Sequence, residues 1–241
     1  NDVDLISVTQ GAGLIGALLI GISFAKAFSY SLNAPLIGTN HVIAHLWANF
    51  LSKDTPGFPF VGLVVSGGHT SLILVKGVNE YSLLGQTQDD AVGEAFDKVA
   101  KILNLGYPGG PQIEKKAKET DFEKRIKFTI FSPCDSSLDF SFSGIKTAVL
   151  YLARDKELTL NSKRDIASSF QETVIDTLIK KSLLACKIKK VNRLVIGGGV
   201  VANNRLREKF FWSASEEGIV CYFPPKDLCM DNAAMVAGLG Y

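Results

Sequence analysis

Two histidines four residues apart, in the segment His41-Val-Ile-Ala-His45, carry the clearest chemical signal in this sequence. Side chains at positions i and i+4 lie on one face of a helix, so both imidazoles could bind a single metal ion. The alternative is a helix with one surface histidine and one core histidine, neither of them a ligand. Zinc proteases with an HExxH motif need a glutamate directly after the first histidine as the water-activating base. Val42 occupies that position here, which disfavours zinc-protease chemistry.

A third metal ligand is expected from the other end of the chain. Asp231 lies in Cys229-Met-Asp-Asn232, between a Pro-Pro loop and the last predicted helix, where its simplest role is to cap that helix. It follows the second strand of its half of the chain, as His41 does in the first half. Pseudo-symmetry would then bring the two helix starts together across a cleft. Two histidines and a carboxylate with open positions suit Fe(II) or Zn(II).

Two glycine-rich turns follow predicted strands and are candidates for binding phosphate through backbone amides. The first ends the segment Val64–Gly68, where a glycine pair lets the backbone approach an anion, although any tight hairpin also favours glycine. The second is Gly197-Gly-Gly199, with Asn203 shortly after it. Three glycines between a strand and a helix exceed what a turn requires, so we favour a ligand role for the second turn.

Two charged segments allow two interpretations each. In the segment Asp89–Lys98, the side chains of Glu94, Asp97 and Lys98 either face a ligand or form a solvated helix face with a Glu94–Lys98 pair. Composition slightly favours the solvated face. In residues 114–127, six basic residues are interrupted by four acidic ones, which is typical of a solvated helix. Contact with a phosphate backbone is the alternative.

The elements that must position these residues form an internal repeat. The order strand, glycine turn, helix, strand, helix occurs in residues 5–51 and again in residues 193–241. A predicted three-stranded meander and a helix precede only the second copy. The simplest explanation is a duplicated βββαβαβα unit that lacks its first meander. We therefore expect two subdomains facing a nucleotide-sized cleft, namely a partial one at 1–57 and a second at 58–241 with a helical insertion at about 107–165.

Composition limits the class of protein. With 241 residues, 46% apolar residues and a net charge of +2, the chain is neither disordered nor a polyanion binder by its overall charge. The four cysteines form no CxxC pair, which favours reduced thiols in the cytoplasm. Residues 5–25 carry no charge but include four glycines, and we expect a strand and a buried helix there rather than a membrane span. The chain begins with Asn1 rather than methionine, so we expect a fragment without its opening strands.

Eight short motifs, in order along the chain, resemble those of the bacterial TsaD family, formerly labelled O-sialoglycoprotease. The motifs are Thr9-Gln-Gly-Ala-Gly-Leu-Ile-Gly16, Asn40-His-Val-Ile-Ala-His45, Val65-Ser-Gly-Gly-His-Thr70, Asp89-Asp-Ala-Val-Gly-Glu-Ala-Phe-Asp-Lys98, Gly106-Tyr-Pro-Gly-Gly110, Asp139-Phe-Ser-Phe-Ser-Gly144, Gly198-Gly-Val-Val-Ala-Asn203 and Met230-Asp-Asn232. One departure is Ile43, where many members carry glutamate between the two histidines; that position is not a ligand in the family.

The resemblance implies a fold and an activity. The fold is the α/β actin-like ATPase fold (ASKHA, a duplicated RNase H-like unit) with two related subdomains. The activity is that of a tRNA N6-adenosine threonylcarbamoyltransferase. Its donor is threonylcarbamoyl-adenylate, and its acceptor is the adenosine 3′ of the anticodon in tRNAs that read ANN codons.

The resemblance also implies site residues. His41, His45 and Asp231 match the family's ligands for iron or zinc. The positions that match the family's donor-binding residues are Val64, Val65, Ser66, Gly67, Gly68, Asp97, Gly110, Glu114 and Asn203. Residues 64–68 would bind the phosphate region, and the other four would hold the ribose and adenine. No residue is matched to a general base.

Partners and rival functions follow from the same family. The implied partners are tRNA, a paralogous dimerisation subunit (TsaB-like) and a small P-loop ATPase (TsaE-like), with a separate synthase making the adenylate and no membrane involved. One rival is a metallopeptidase that uses the histidine pair. Another is an ATP-dependent phosphotransferase or ATPase of the same fold, with ATP as its nucleotide. A third is a catalytically dead paralogue that only scaffolds a complex, although such a chain should have lost the histidine pair.

Overall fold

A computed structural model describes residues 3–119, 126–129, 136–154 and 158–241, so part of the charged segment 114–127 lies outside the described residues. The strands are β1 (Ile6–Gly11), β2 (Leu36–Asn40), β3 (Phe60–Val65), β4 (Thr70–Gly77), β5 (Glu80–Gln86), β6 (Arg193–Gly197) and β7 (Val220–Tyr222). The helices are α1 (Ile15–Leu32), α2 (His41–Trp47), α3 (Val92–Ile102), α4 (Gly109–Ala117), α5 (Ser143–Ala153), α6 (Leu160–Lys189), α7 (Asn204–Glu216) and α8 (Ala233–Gly240). Short 3₁₀ turns cover Ala48–Leu51, Gly199–Ala202 and Lys226–Leu228.

The larger sheet has the strand order β5-β4-β3-β6-β7. Strands β3, β4 and β5 form the antiparallel meander predicted from the sequence, whereas β3–β6 and β6–β7 pair in parallel. All six residues of β3 are buried, because α2 covers one face of this central strand and α6 the other. This sheet therefore supports the main hydrophobic core.

Strands β1 and β2 form a second, two-stranded parallel sheet, in which Ile6 lies beside Leu36. The order strand, helix, strand, helix from β1 to α2 returns from β6 to α8. The parallel β1–β2 pair also matches the parallel β6–β7 pair. The internal repeat predicted from the sequence is therefore present among the described residues.

Helix α2 follows the small sheet in the chain but packs on the large one. A Cβ atom at Gly62 of β3 would overlap the Leu46 side chain, and a Cβ atom at Gly197 of β6 would overlap the carbonyl oxygen of His45. Because both glycines lack a Cβ, the helix lies directly on the sheet. Its apolar residues join one buried cluster with residues of β3, β4 and β6.

Helix α8 makes the reciprocal exchange, because it follows β7 but packs on the small sheet. A Cβ atom at Gly240 would overlap the Ser7 hydroxyl of β1 and come within 3.0 Å of Ile37 in β2. Ala44 of α2 and Met235 of α8 belong to one small buried cluster. The two exchanged helices therefore begin side by side, between the two sheets.

The expected division into residues 1–57 and 58–241, with a helical insertion at about 107–165, remains a prediction. Helices α4 and α5 lie within that interval, part of which falls outside the described residues. The exchange of α2 and α8 means that each sheet is covered by a helix from the other half of the chain.

Helix α1 differs from the buried helix predicted from the sequence. Ala25 is its one buried residue, and Ile15 and Ile20 are 73% and 75% exposed. The prediction followed from an apolar composition, but the two-stranded sheet beside α1 is too narrow to cover a helix of 18 residues. Among the described residues, α1 is the one helix whose length and composition would allow a membrane crossing, criteria that core helices and signal sequences also meet.

Candidate metal and nucleotide site

Helix α2 carries His41 at its first position and His45 one turn later. Asn40 precedes the helix, and its Oδ1 accepts hydrogen bonds from the backbone N–H groups of Val42 at 2.9 Å and Ile43 at 3.2 Å. This cap makes the helix begin at His41. The two imidazole rings then lie on one helix face with their centroids 4.9 Å apart.

Asp231 lies opposite the two imidazoles, in the loop before α8. Its Oδ1 is 3.4 Å from His41 Nε2 and 3.3 Å from His45 Nε2. The capping role considered for Asp231 belongs instead to Asn232, whose Oδ1 accepts the Met235 N–H at 2.8 Å. The Asp231 carboxylate is therefore not engaged in capping, and its side chain is 75% exposed.

His45 is almost completely buried, with 1% of its surface exposed. Neither ring nitrogen has a hydrogen-bond partner among the described residues, because the contact with Asp231 falls outside hydrogen-bond geometry. Burial, and next the nearby charge of His41, lower the pKa of His45 to about 4 despite the attraction of Asp231. The ring is therefore neutral at neutral pH, and one of its two nitrogens carries a lone pair that a metal ion could use.

The three side chains together fit a divalent cation. Their ligand atoms all lie within 4.8 Å of one another, and two come from α2 while the third comes from the loop before α8. An unpaired buried nitrogen such as His45 Nε2 is costly unless a partner satisfies it. A borderline metal such as Fe(II) or Zn(II) binds this combination of nitrogen and oxygen ligands.

His69 was not singled out from the sequence. It lies in the turn between β3 and β4 and lines, with His41 and Asp231, a cavity of about 820 Å³. Partial burial, reinforced by the nearby charge of His41, lowers the pKa of His69. Its position directly after a glycine pair was the available signal.

The β3–β4 turn contributes backbone groups to the same cavity. The Ser66 N–H donates to the His69 carbonyl at 2.8 Å, and the His69 N–H donates to the Ser66 hydroxyl at 3.1 Å. Gly67 and Gly68 are exposed and line the cavity. A Cβ atom at Gly93 would lie 2.8 Å from the Gly67 Cα. The N-terminus of α3 therefore lies against the turn, an arrangement that favours anions.

The two valines of the expected donor-binding segment are placed differently from its other residues. Val64 and Val65 belong to β3, and their side chains are fully buried in the core. Ser66, Gly67 and Gly68 line the cavity. Only backbone atoms of the valines could contact a ligand there.

A second cavity of about 390 Å³ adjoins the first, since Gly67, Gly199 and Met230 line both. The four residues expected to hold the ribose and adenine all line it, namely Asp97, Gly110, Glu114 and Asn203. Tyr107 and Met230, which were not singled out as site residues, also line it. The cavity beside the histidine–aspartate cluster (His41, His45 and Asp231) and the cavity lined by these four residues are therefore neighbours.

Asp97 and Asn203 also hold neighbouring elements in place. Asp97 Oδ1 accepts the Gly109 N–H at 2.7 Å, which fixes the start of α4. Asn203 Oδ1 accepts the Leu206 N–H at 2.9 Å and thereby caps α7. Its Nδ2 donates to the buried Gln171 of α6 at 2.8 Å. Hydrogen bonds to neighbouring elements therefore hold these two residues of the cavity wall.

Glu114 is an ionised acceptor beside the second cavity. Its Oε1 accepts hydrogen bonds from the Asn204 backbone N–H at 3.1 Å and Nδ2 at 2.7 Å, and Lys118 Nζ lies 3.0 Å away. Desolvation raises the pKa of Glu114, but these contacts outweigh it and hold the pKa below its usual value. Oε2 accepts no hydrogen bond from the described residues and is available to a ligand hydroxyl group.

Helix α3 combines both arrangements considered for its charged residues. Lys98 Nζ pairs with Glu94 at 2.8 Å and with Asp90 at 2.6 Å, as a solvated face predicts. Asp97, in contrast, lines the cavity. One helix therefore carries an ion-pair network and a cavity-facing carboxylate.

Comparison with known proteins agrees with this geometry. The family model described as TsaD, tRNA N6-adenosine threonylcarbamoyltransferase, matches residues 1–238. A curated protein of that name from Dictyoglomus turgidum is 54% identical over 242 residues, which cover 100% of this chain and 72% of the relative. Another from Thermosipho melanesiensis is 52% identical over 243 residues, covering 100% of this chain and 73% of the relative.

Two solved structures of HypF share the fold. Full-length HypF in its phosphate- and nucleotide-bound form has a TM-score of 0.72 at 14% identity, covering 99% of this chain and 38% of that chain. HypF from T. kodakarensis has a TM-score of 0.73 at 14% identity, covering 98% and 40%. At this identity the likeness concerns the fold alone, and together with the family match it confirms the predicted α/β actin-like fold. The chain, matched along almost its whole length, belongs to the TsaD family of tRNA N6-adenosine threonylcarbamoyltransferases.

Proposed function

We propose that this acyltransferase moves the threonylcarbamoyl group from threonylcarbamoyl-adenylate to N6 of the adenosine 3′ of the anticodon in tRNAs that read ANN codons. One observation carries the proposal. His41 and Asp231 line a cavity that shares Gly67, Gly199 and Met230 with the cavity lined by Asp97 and Glu114. A nucleotide in that cavity would place its phosphate end toward the cluster.

His41, His45 and Asp231 would hold one divalent ion, which we propose to be Fe(II), with Zn(II) as the alternative. The unpaired and buried Nε2 of His45 supports this assignment. When bound, such an ion supplies Lewis-acid polarisation and helps to orient the donor.

The residues of the two cavities would divide the recognition of the adenylate. Backbone amides at Gly67 and Gly68, with the N-terminus of α3 behind them, would offset the charge of the phosphate. The ionised Glu114 and the cavity-facing Asp97 would accept hydrogen bonds from the ribose hydroxyl groups. Asn203, with Gly110, would flank the adenine.

In the transfer step the N6 amine attacks the carbamoyl carbon. A carbon–nitrogen bond forms, the bond between that carbon and the phosphate oxygen breaks, and AMP leaves with the electron pair while one amine proton is released. An aromatic amine is a weak nucleophile, so most of the acceleration must come from positioning the two reactants. We assign no general base.

The remaining parts of the proposal concern partners and location. We propose that tRNA is bound together with a TsaB-like paralogue and a TsaE-like P-loop ATPase, in the cytoplasm and away from membranes. A separate synthase would supply the adenylate.

The test measures threonylcarbamoyl-adenosine by mass spectrometry of tRNA nucleosides, after incubation of the protein with donor adenylate, tRNA and partner subunits. We expect the modified nucleoside with the parent and none with His41→Ala or Asp231→Ala. Lys76→Ala, which removes an exposed ion pair with Glu80, is the matched control and should behave like the parent. Normal transfer by both site variants would overturn the assignment. Cleavage of casein by the purified protein would favour the metallopeptidase. Release of phosphate from ATP without transfer to tRNA would favour the ATPase.

A further inference from the structure

Arg207 of α7 joins two loops that border the cleft. Its Nε donates to the carbonyl oxygen of Val201 at 2.7 Å. Its Nη2 donates to the carbonyl oxygen of Pro224, also at 2.7 Å, and lies 3.1 Å from the sulfur of Cys229. The guanidinium carbon stands 5.3 Å from the centre of the Phe223 ring. One side chain therefore binds the turn after β6 and the loop after β7 at the same time.

Both loops carry parts of the proposed site. The 3₁₀ turn Gly199–Ala202, which contains Val201, forms one wall of the second cavity. Cys229 is fully buried and stands two residues before Asp231, with Met230 of both cavities between them. A shift of the Cys229 backbone would therefore move the Asp231 carboxylate.

Asp231 has few anchors of its own. Within the part of the chain that the structure describes, the polar contacts of its carboxylate are those with His41 and His45. Asn232 ties the end of the loop, donating to the Met230 carbonyl at 2.8 Å. The start of the loop is tied through Arg207.

We propose that Arg207 is a positioning residue, which holds the Asp231 loop at a fixed place relative to the turn at Val201 and so completes the metal site beside the nucleotide cavity. This inference rests on the proposed function of the histidine–aspartate cluster. Arginine suits the task because its planar fork donates in two directions at a fixed separation, whereas lysine is a single point of charge. Groups that orient metal ligands in this way commonly change metal affinity about 10–100-fold when they are removed.

The test compares Arg207→Lys and Arg207→Met with a matched control, Arg205→Lys, on the same helix. Arg205 binds Glu172 of α6 and Glu208 of its own helix, so the control removes the same atoms from an ion-pair network. Binding of Co(II) to the metal-free protein is followed by its visible absorption and by competition with a chelator. The melting temperature of each metal-free variant is measured alongside.

We expect the Arg207 variants to bind Co(II) about 10–100-fold more weakly than the parent, and Arg205→Lys to bind it within about threefold of the parent. Should Arg207→Met fail to fold, Arg207→Lys decides alone. Parent-like affinity in Arg207→Lys, or an equal loss in Arg205→Lys at an equal melting temperature, overturns the inference while leaving the metal site intact. If the parent binds Co(II) no better than Asp231→Asn, the proposed metal site fails, and the role of Arg207 fails with it.

Discussion

His41 and Asp231 lie far apart in the sequence, yet His41 Nε2 lies 3.4 Å from Asp231 Oδ1. The exchange of helices between the two sheets produces this proximity. Helix α2 leaves the small sheet and packs on the large one, and α8 does the reverse, so the two helix starts meet. A cluster built across this junction depends on both halves of the chain.

The buried imidazole of His45 leads to a prediction about stability. Both ring nitrogens lack hydrogen-bond partners among the described residues, and such burial costs about 1–3 kcal/mol. His45→Leu should therefore raise the free energy of unfolding of the metal-free protein, by about 1 kcal/mol, or roughly 2–4 °C in melting temperature. The same variant should lose the stabilisation that added Zn(II) gives the parent. A lower melting temperature without metal would contradict the idea that His45 is kept for a ligand.

Because α3 lies close to the β3–β4 turn, we expect substitution of Gly93 by alanine to affect stability and AMP binding differently from the same substitution at Gly144. A Cβ at Gly93 would lie 2.8 Å from both the Gly67 Cα and the Ser66 carbonyl oxygen, so Gly93→Ala must displace the turn. We expect a loss of stability of about 1–3 kcal/mol and weaker AMP binding by calorimetry. Gly144→Ala is the control, because a Cβ there meets nothing within 4 Å and α5 should gain about 0.5–1 kcal/mol. Unchanged AMP affinity in Gly93→Ala would argue against a phosphate site at this turn.

Glu114 provides a test of the nucleotide cavity. Glu114→Gln keeps the shape of the side chain but removes the charge that would accept ribose hydroxyl groups, so the Kd for AMP should rise about tenfold. Lys118→Met is the matched control, since it removes only a surface ion pair to the same carboxylate, and its effect should stay below about threefold. Equal effects in the two variants would mean that the charge of Glu114 is not used by the ligand.

Asp89 predicts a pH dependence of stability. Its carboxylate accepts the N–H groups of Phe142 (2.7 Å) and Ser143 (3.2 Å) and thus caps α5 from a distant segment. Desolvation raises the pKa of Asp89, but these bonds and the hydroxyl groups of Ser141 and Ser143 outweigh it and lower the pKa below its usual value. A depressed folded-state pKa stabilises the protein above the unfolded value, and this contribution is lost as the pH falls through the folded value.

Asp89→Ala should therefore cost about 1 kcal/mol at pH 7, measured by urea unfolding. The difference from the parent should shrink as the pH is lowered below about 4. A difference of the same size at pH 7 and at pH 3 would show that the capping bonds do not depend on the charge.

Much of the site could be predicted from residue types and spacing, because those features act locally. The i, i+4 spacing put His41 and His45 on one face, and the two glycine turns followed their strands. The choice between Asp231 and Asn232 as the helix cap could not be made, since both residue types cap helices equally well. It was decided by the geometry at Met235, whose N–H meets Asn232.

What the sequence could not show depends on contacts between distant segments. The apolar composition of α1 predicted burial, but burial depends on the width of the sheet beside it. The side chains of Val64 and Val65 lie in the core because β3 is the central strand of its sheet. The sequence motif alone does not distinguish these two residues from the other three of the segment 64–68. The exchange of α2 and α8 has no local signature in the sequence.

The helix exchange also sets the order of events when the protein is made. Helix α2 is synthesised early, but β6, on which it rests, and α8, beside which it begins, are translated much later. Until then His41 and His45 have no opposing carboxylate. A shortened translation product that stops before Asp231 would therefore lack one of the three proposed metal ligands.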